Sequence, residues 1–197
     1  MKVGTILSAG VLLLGSMLVA AAAQAGWSLD GSESYLSFVS TKNSDVAEAH
    51  AFIALRGSVS DDGASNLVVE LASVHTLIAI RDERMRDLLF EAGRFPVATF
   101  STQIDLAAML AMAPGETHST TIVGELDLHG VASAVRVEVA VGRIGEDRFN
   151  VVTRKPFIVL AGSHALLDGI ERLREIAGLK MISLAVPISF SLQFVRD

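Results

Sequence analysis

Few residues of this sequence could carry out chemistry, and they are scattered along it. The chain has no cysteine, which removes thiol catalysis and thiolate metal sites. Its histidines never fall at metal-ligand spacing within one predicted element; they are His50, His75, His118, His129 and His164. The sequence also lacks a nucleophile elbow, a phosphate-binding glycine loop and the paired-histidine motif of zinc proteases. We therefore predict no metal site.

One hydroxyl stands beside an imidazole, at Ser163 and His164. Neighbours in sequence rarely reach the hydrogen-bonded geometry that nucleophile activation requires, so we interpret Ser163 as the N-cap of a helix. The pairs Asp61-Asp62 and Asp82-Glu83 fall in a predicted turn and at a predicted helix start, where acidic residues are favoured structurally. We predict a protein that is not an enzyme and that needs no cofactor.

The first 25 residues have the pattern of an export signal. Lys2 is their only charge, an apolar run extends from Val11 to Ala23, and small residues end the segment at Ala25. This pattern predicts cleavage after Ala25, no stable membrane anchor and a periplasmic location for residues 26–197. Those 172 residues are enough for one domain with its own core.

The charge of that domain restricts its partners. Without Lys2, 15 basic residues face 22 acidic ones, a net charge of −7. Such a balance argues against nucleic acid and against anionic membrane surfaces as electrostatic partners. The absence of cysteine in an exported chain also means that stability must come from a core.

Alternating apolar and polar residues predict a mainly β fold. The last such run places seven apolar side chains on one face: Ile182, Leu184, Val186, Ile188, Phe190, Leu192 and Phe194. Similar runs predict eight strands near residues 34–41, 49–59, 66–74, 97–104, 119–128, 133–144, 148–159 and 181–195. Residues 81–92 and 164–177 have helical spacing instead and predict two short inserted helices. An eight-stranded barrel and a two-sheet sandwich both fit this pattern.

If the strands close into a barrel, their inward residues surround a lumen. Several inward candidates are small, namely Gly124, Ser73, Val135, Val137 and Val139, which leaves room for an apolar ligand. The predicted walls are Leu36, Phe38, Phe52, Leu71, Phe100, Leu126, Leu128 and Phe190. A solid core without a ligand is the alternative.

Three motifs give the sequence a resemblance to the YceI family. They are the pair Arg81-Asp82 in the first helix, the run from Phe95 to Thr102, and the run from Gly124 to Val131 that contains Leu128-His129-Gly130. Trp27 to Val195 follows the family pattern. The sequence departs from it at Arg84-Met85, where many members have His-Leu, and at Lys155-Pro156-Phe157-Ile158, where many members have Arg-Asp-Phe-Gly.

The resemblance implies a single eight-stranded antiparallel lipocalin-like barrel with two short inserted α-helices. It also implies a periplasmic binding or carrier protein for a long apolar amphiphile, such as an isoprenoid quinone, a polyprenol or a fatty-chain lipid. The helix residues Met85, Leu88 and Phe90 then join Val137 and the predicted walls in the site.

Two polar residues have two interpretations each. Arg81 binds a phosphate or hydroxyl head group, or it forms an internal ion pair that fixes the helix to the barrel rim. His129 contacts the head group, or it is a hairpin turn residue.

The alternative function is a side-chain-filled barrel that acts in envelope stress or protein interaction. Stable membrane insertion is not predicted, since the chain ends in Arg196-Asp197 and carries two amphipathic helices; a homodimer is compatible with the sequence.

Overall fold

A computed structural model describes residues 26–197, so the predicted signal peptide, residues 1–25, lies outside the described residues. Within the described range the chain forms twelve strands. They are β1 (Gly26–Leu29), β2 (Tyr35–Lys42), β3 (Val46–Phe52), β4 (Leu55–Ser60), β5 (Ala64–Glu70), β6 (Val74–His75), β7 (Val97–Gln103), β8 (Thr117–Leu128), β9 (Val131–Arg143), β10 (Arg148–Thr153), β11 (Phe157–Leu160) and β12 (Ala185–Arg196).

These twelve segments occupy eight positions around a closed antiparallel barrel. Each of β1/β2, β3/β4, β5/β6 and β10/β11 is one long strand interrupted by a break. The long strand β12 closes the circuit, because it pairs with β10 and β11 along one edge and with β1 and β2 along the other. Closure leaves no free outer strand, and it confirms the eight-stranded barrel.

Side-chain alternation directs one face of each strand into the barrel. In β8 the even-numbered residues from Thr120 to Leu128 are more buried than their odd-numbered neighbours. In β9 the buried residues Val137, Val139 and Val141 alternate with partly exposed ones. This period of two makes the lumen apolar and the outer surface largely polar.

The helices differ in part from the sequence prediction. The segment predicted at 81–92 begins earlier, as α1 (Ala79–Arg84), and continues as a π-helical turn, Met85–Leu89. The segment predicted at 164–177 is α3 (Leu167–Ile176), preceded by a 3₁₀ turn at Ala161–His164. The N-cap assignment of Ser163 was wrong: Leu166 occupies that position and no side chain caps the helix.

The prediction of two helices also missed a third, α2 (Leu106–Leu110). Five residues are too few to show a helical period. The local signal was Asp105, whose side chain accepts a hydrogen bond of 3.0 Å from the amide of Ala108 and so caps the first turn.

The connections between strands define two ends of the barrel. The upper end carries α1, the π-helical turn, α3 and the hairpins at 43–45 and 129–130; the lower end carries α2 and the hairpins at 61–63 and 144–147. Helix α3 packs against the π-helical turn. The tight upper hairpin has positive φ at both His129 and Gly130, as a type I′ turn requires.

Gly124 in β8 allows an aromatic ring to lie against the backbone. A Cβ added there would lie 2.5 Å from Cζ of Phe100 and even closer to the carbonyl oxygen of Ser101. We expect Gly124→Ala to lower the free energy of unfolding by about 1 to 3 kcal/mol through overpacking. Urea denaturation would measure the loss.

Gly142→Ala in β9 is the matched control for that substitution. A Cβ at Gly142 would meet only Oγ1 of Thr117, at an ordinary contact distance of 3.5 Å. We expect this change to leave stability unchanged or to raise it slightly, because alanine restricts the unfolded chain. Equal losses from both substitutions would show that the contact with Phe100 is not the cause.

Candidate functional site

A cavity of about 650 Å³ lies inside the barrel and extends from the upper end toward the lower end. Its upper wall includes Met85, Ile170 and Leu173, and its lower wall includes Leu106 and Met109 of α2. The volume falls in the range of ligand pockets that enclose small apolar molecules. The side chains of the barrel therefore do not fill its lumen.

Most of the residues predicted from sequence line this cavity. Those on the wall are Leu36, Phe38, Phe52, Leu71, Arg81, Met85, Phe90, Phe100, Leu126, Leu128, Val137 and Phe190. Leu88 and His129 do not line it. In the π-helical turn the amide of Phe90 bonds to the carbonyl of Met85, five residues back, so Leu89 and Phe90 take the inward positions that a regular helix would give to Leu88.

The small residues predicted to leave room behave in different ways. Val135 and Val137 line the cavity, whereas Val139 is completely buried and does not. The space beside Gly124 is taken by Phe100. Ser73 is not part of the wall, because its hydroxyl donates to the carbonyl of Glu70 and accepts from the amide of Ala54.

Sequence reasoning missed much of the lower half of the wall. Trp27 of β1 and Phe149 and Val151 of β10 line the cavity, as do the α2 residues Leu106 and Met109. Trp27 and Phe149 pack edge to face, with ring centroids 4.9 Å apart. Alternation along β10 could have indicated Phe149 and Val151, but β1 and α2 are too short to show a period.

The upper end of the cavity is polar, in contrast to its walls. Glu48 of β3 accepts hydrogen bonds from two cations, Lys42 at 2.6 Å and Arg81 at 2.8 Å. All three side chains line the cavity and are partly exposed. They form a compact ion-pair cluster at one end of an apolar chamber.

Arg81 is held by the protein itself. Besides its bond to Glu48, its Nε donates to Thr76 Oγ1 at 2.8 Å and its Nη2 donates to the Thr76 carbonyl at 2.7 Å. Buried Asp82 accepts from the Thr76 amide at 2.8 Å. This geometry corresponds to the ion-pair interpretation of Arg81, and the partner is Glu48 on the barrel wall.

The ion-pair cluster of Lys42, Glu48 and Arg81 makes the free energy of unfolding depend on pH in the acid range. The hydrogen bond from Lys42, and then the charge of Arg81, hold the pKa of Glu48 below its ordinary value of 4.5. Since the folded-state pKa is depressed, this stabilisation is complete above about pH 4.5 and is lost as the pH falls further. We expect Glu48→Gln to flatten the decline in stability below pH 4.5, measured by urea denaturation across the pH range.

Glu83→Gln is the control for that experiment, because it removes an exposed carboxylate of α1 that forms no ion pair among the described residues. Glu83→Gln should show the same decline in stability below pH 4.5 as the wild type. An identical response in wild type and Glu48→Gln would contradict the role given to Glu48.

His50 lies beside the cluster and also lines the cavity. It is 6% exposed, packs edge to face on Phe38, and its Nδ1 has no hydrogen-bond partner among residues 26–197. Burial, and then the charge of Arg81, lower the pKa of His50, so the neutral imidazole is favoured. The cavity wall thus carries an unsatisfied polar atom, which is costly unless a bound group compensates it.

The remaining candidate histidines have structural contacts. His164 is 1% exposed; its Nδ1 lies 2.9 Å from the carbonyl oxygen of Val131, and its Nε2 lies 3.0 Å from Ser133 Oγ. His129 is the turn residue of the upper hairpin, where its ring packs at a tilt against Phe95 and its Nε2 lies 3.2 Å from Glu91. Neither imidazole faces the cavity.

Residues 26–197 can also be searched for metal-binding groups and for membrane-spanning helices. Their histidine, aspartate and glutamate side chains form no group of three that could hold a metal ion. None of their helices is long and apolar enough to cross a membrane.

The fold and the cavity together define a class, the lipocalin-like closed barrels that enclose an apolar chamber. A family model described as the YceI-like domain matches residues 27–194. The chain belongs to this family.

Two solved structures give the similarity in numbers. A polyisoprenoid-binding domain from Saccharophagus degradans, implicated in plant cell wall breakdown, is 40% identical; the match covers 87% of this chain and 98% of that one, with a TM-score of 0.85. BcnA from Burkholderia cenocepacia is 21% identical; the match covers 84% of this chain and 98% of that one, with a TM-score of 0.65. At this level of identity the similarity supports the fold but not a shared function. A comparison with curated proteins finds no match.

Proposed function

We propose that this protein is a periplasmic binding or carrier protein that holds the chain of a long amphiphile inside its barrel. The cavity is the observation that supports this most strongly, since it is long, apolar and closed by strands on all sides. Burying a hydrocarbon chain there would gain about 0.8 kcal/mol for each methylene group. The 40% identical relative is described as a polyisoprenoid-binding domain, which supports an isoprenoid or similar chain.

The alternative of an interaction protein with a filled barrel is less well supported. A filled barrel needs inward side chains that meet across the lumen, and a cavity of about 650 Å³ separates them here. Among residues 26–197, Ser40, Glu48 and His50 line the cavity, but no hydrogen bond joins the serine to the histidine or the histidine to the carboxylate, so binding rather than catalysis is the proposed role. Export is part of the proposal and depends on the leader sequence at residues 1–25.

Organic extraction of freshly purified protein, followed by mass spectrometry, tests the proposal. We expect an isoprenoid quinone, a polyprenol or a fatty-chain lipid in a fixed ratio to protein. N-terminal sequencing of the same periplasmic preparation should begin at Gly26. An extract without lipid, from a protein that also takes up no added lipid, would refute the carrier function.

A further inference from the structure

The charges at the upper end of the cavity do not balance. Lys42 and Arg81 share a single carboxylate, that of Glu48. A third cation, Arg84, also lines the cavity, and no ion pair of residues 26–197 includes it. Glu48 is the only acidic residue in this part of the wall, because Asp105 lies at the lower end. Among residues 26–197, three cations and one carboxylate therefore line the upper end of the cavity, while the buried carboxylate of Asp82 lies behind Arg81 and outside the wall.

The helix sets the direction of Arg84. Arg84 and Met85 follow Arg81 by three and four residues and all of them line the cavity, so they share the inward face of α1 and the turn that follows it. Glu83, between them, is exposed. Unlike Arg81, whose guanidinium is bound to Thr76 and Glu48, Arg84 makes no side-chain hydrogen bond within the described chain.

A second observation also indicates a ligand group at this end. His50 is more than nine-tenths buried in the same wall, and its Nδ1 has no partner among the described residues. The Arg84 guanidinium has donors without protein acceptors, and Nδ1 of His50 donates or accepts according to its tautomer, so both suit an oxygen-rich group better than the end of a hydrocarbon chain.

We infer that Arg84 determines the head-group class of the ligand: the upper end of the cavity selects amphiphiles with an anionic oxygen head, a carboxylate or a phosphate, over neutral heads on the same chain. The inference rests on the proposed function and narrows it. Arginine presents several donors in a planar fork that matches both anions, and charge-assisted bonds of this kind are about twice as strong as neutral ones.

Chain-matched probes separate head-group selection from chain binding. Delipidated protein would be titrated with stearic acid, octadecyl phosphate, octadecanol and methyl stearate, with isothermal calorimetry as the readout. We expect the wild type to bind the acid or the phosphate at least about tenfold more tightly than the alcohol and the ester. Whichever of the two anionic probes binds more tightly shows whether the natural head group is a carboxylate or a phosphate.

Arg84→Met should remove this preference by lowering the affinity for the acid and the phosphate to about that for the alcohol. Arg84→Gln provides a second neutral variant in case methionine disturbs folding. Arg86→Met is the matched control: it removes the same charge two residues away, from a side chain that does not line the cavity, and it should keep the preference.

The outcomes distinguish the two proposals. Equal affinity of the wild type for all four probes, or a preference that survives both Arg84 variants, would overturn the role of Arg84 and leave the carrier function standing. Failure of every probe to bind would count against the carrier function itself.

Discussion

Val137→Trp is expected to weaken lipid binding at least about tenfold while the barrel remains folded. Val137 points from β9 into the cavity, so an indole at this position would occupy the space of the lipid chain. We expect affinity for a long-chain lipid to fall at least about tenfold, equivalent to about 1.4 kcal/mol. Val137 is itself 3% exposed and belongs to the same buried cluster as Val139, but unlike Val139 it borders the cavity. Because the larger ring can extend from Val137 into the cavity, the free energy of unfolding should change by less than about 1 kcal/mol. Lipid extraction and urea denaturation of the same preparation measure both effects.

Val139→Trp is the matched control, two residues along the same strand. Val139 also points inward, but it is fully buried against its neighbours and does not line the cavity. We expect overpacking to cost about 1 to 3 kcal/mol of stability. A comparable loss of stability in Val137→Trp would mean that the lumen is packed at Val137, which would contradict the cavity described above.

His164→Ala should produce a large loss of stability. It would leave the Val131 carbonyl and the Ser133 hydroxyl without their partner and would open a void in a fully buried position. Each unsatisfied group costs about 1 to 3 kcal/mol, so we expect a total loss of about 2 to 6 kcal/mol from the two groups. The midpoint of urea unfolding measures it.

Ser163→Ala tests the alternative in which the adjacent hydroxyl and imidazole act together. Ser163 is exposed, and the hydrogen bonds of His164 go to Val131 and Ser133 instead. The change should alter stability by less than about 0.5 kcal/mol, as at other exposed positions. A large loss in Ser163→Ala together with a small loss in His164→Ala would contradict the structural role given to the imidazole.

The sequence was sufficient to predict the barrel strands because side-chain direction in a strand is a local property. Alternation in β8, β9 and β12 identified which face is buried, and the inward aromatic residues Phe38, Phe52 and Phe100 do line the cavity. Closure of the barrel was not a local property. It depends on β12 pairing with β1, more than a hundred residues earlier, and the family resemblance supplied what alternation could not.

The polar end of the site shows the same limit. The pairing of Arg81 with Glu48 joins residues 33 apart, and no spacing rule within one element indicates it. His50 was considered only as a metal ligand, because its burial depends on packing against Phe38. The exclusion of Leu88 from the wall follows from a π-helical turn that a regular helical period does not predict.

The most direct test of the central claim uses Trp27, the single tryptophan of the chain. It is 3% exposed and lines the lower part of the cavity, so a lipid chain that enters from the upper end would come close to its ring. Delipidated protein would be titrated with a fatty acid brominated near the end of its chain, while tryptophan fluorescence is recorded. We predict saturable quenching at one lipid per protein, displaced by unbrominated lipid. Fluorescence unaffected by any chain length would contradict a lipid chain inside the barrel.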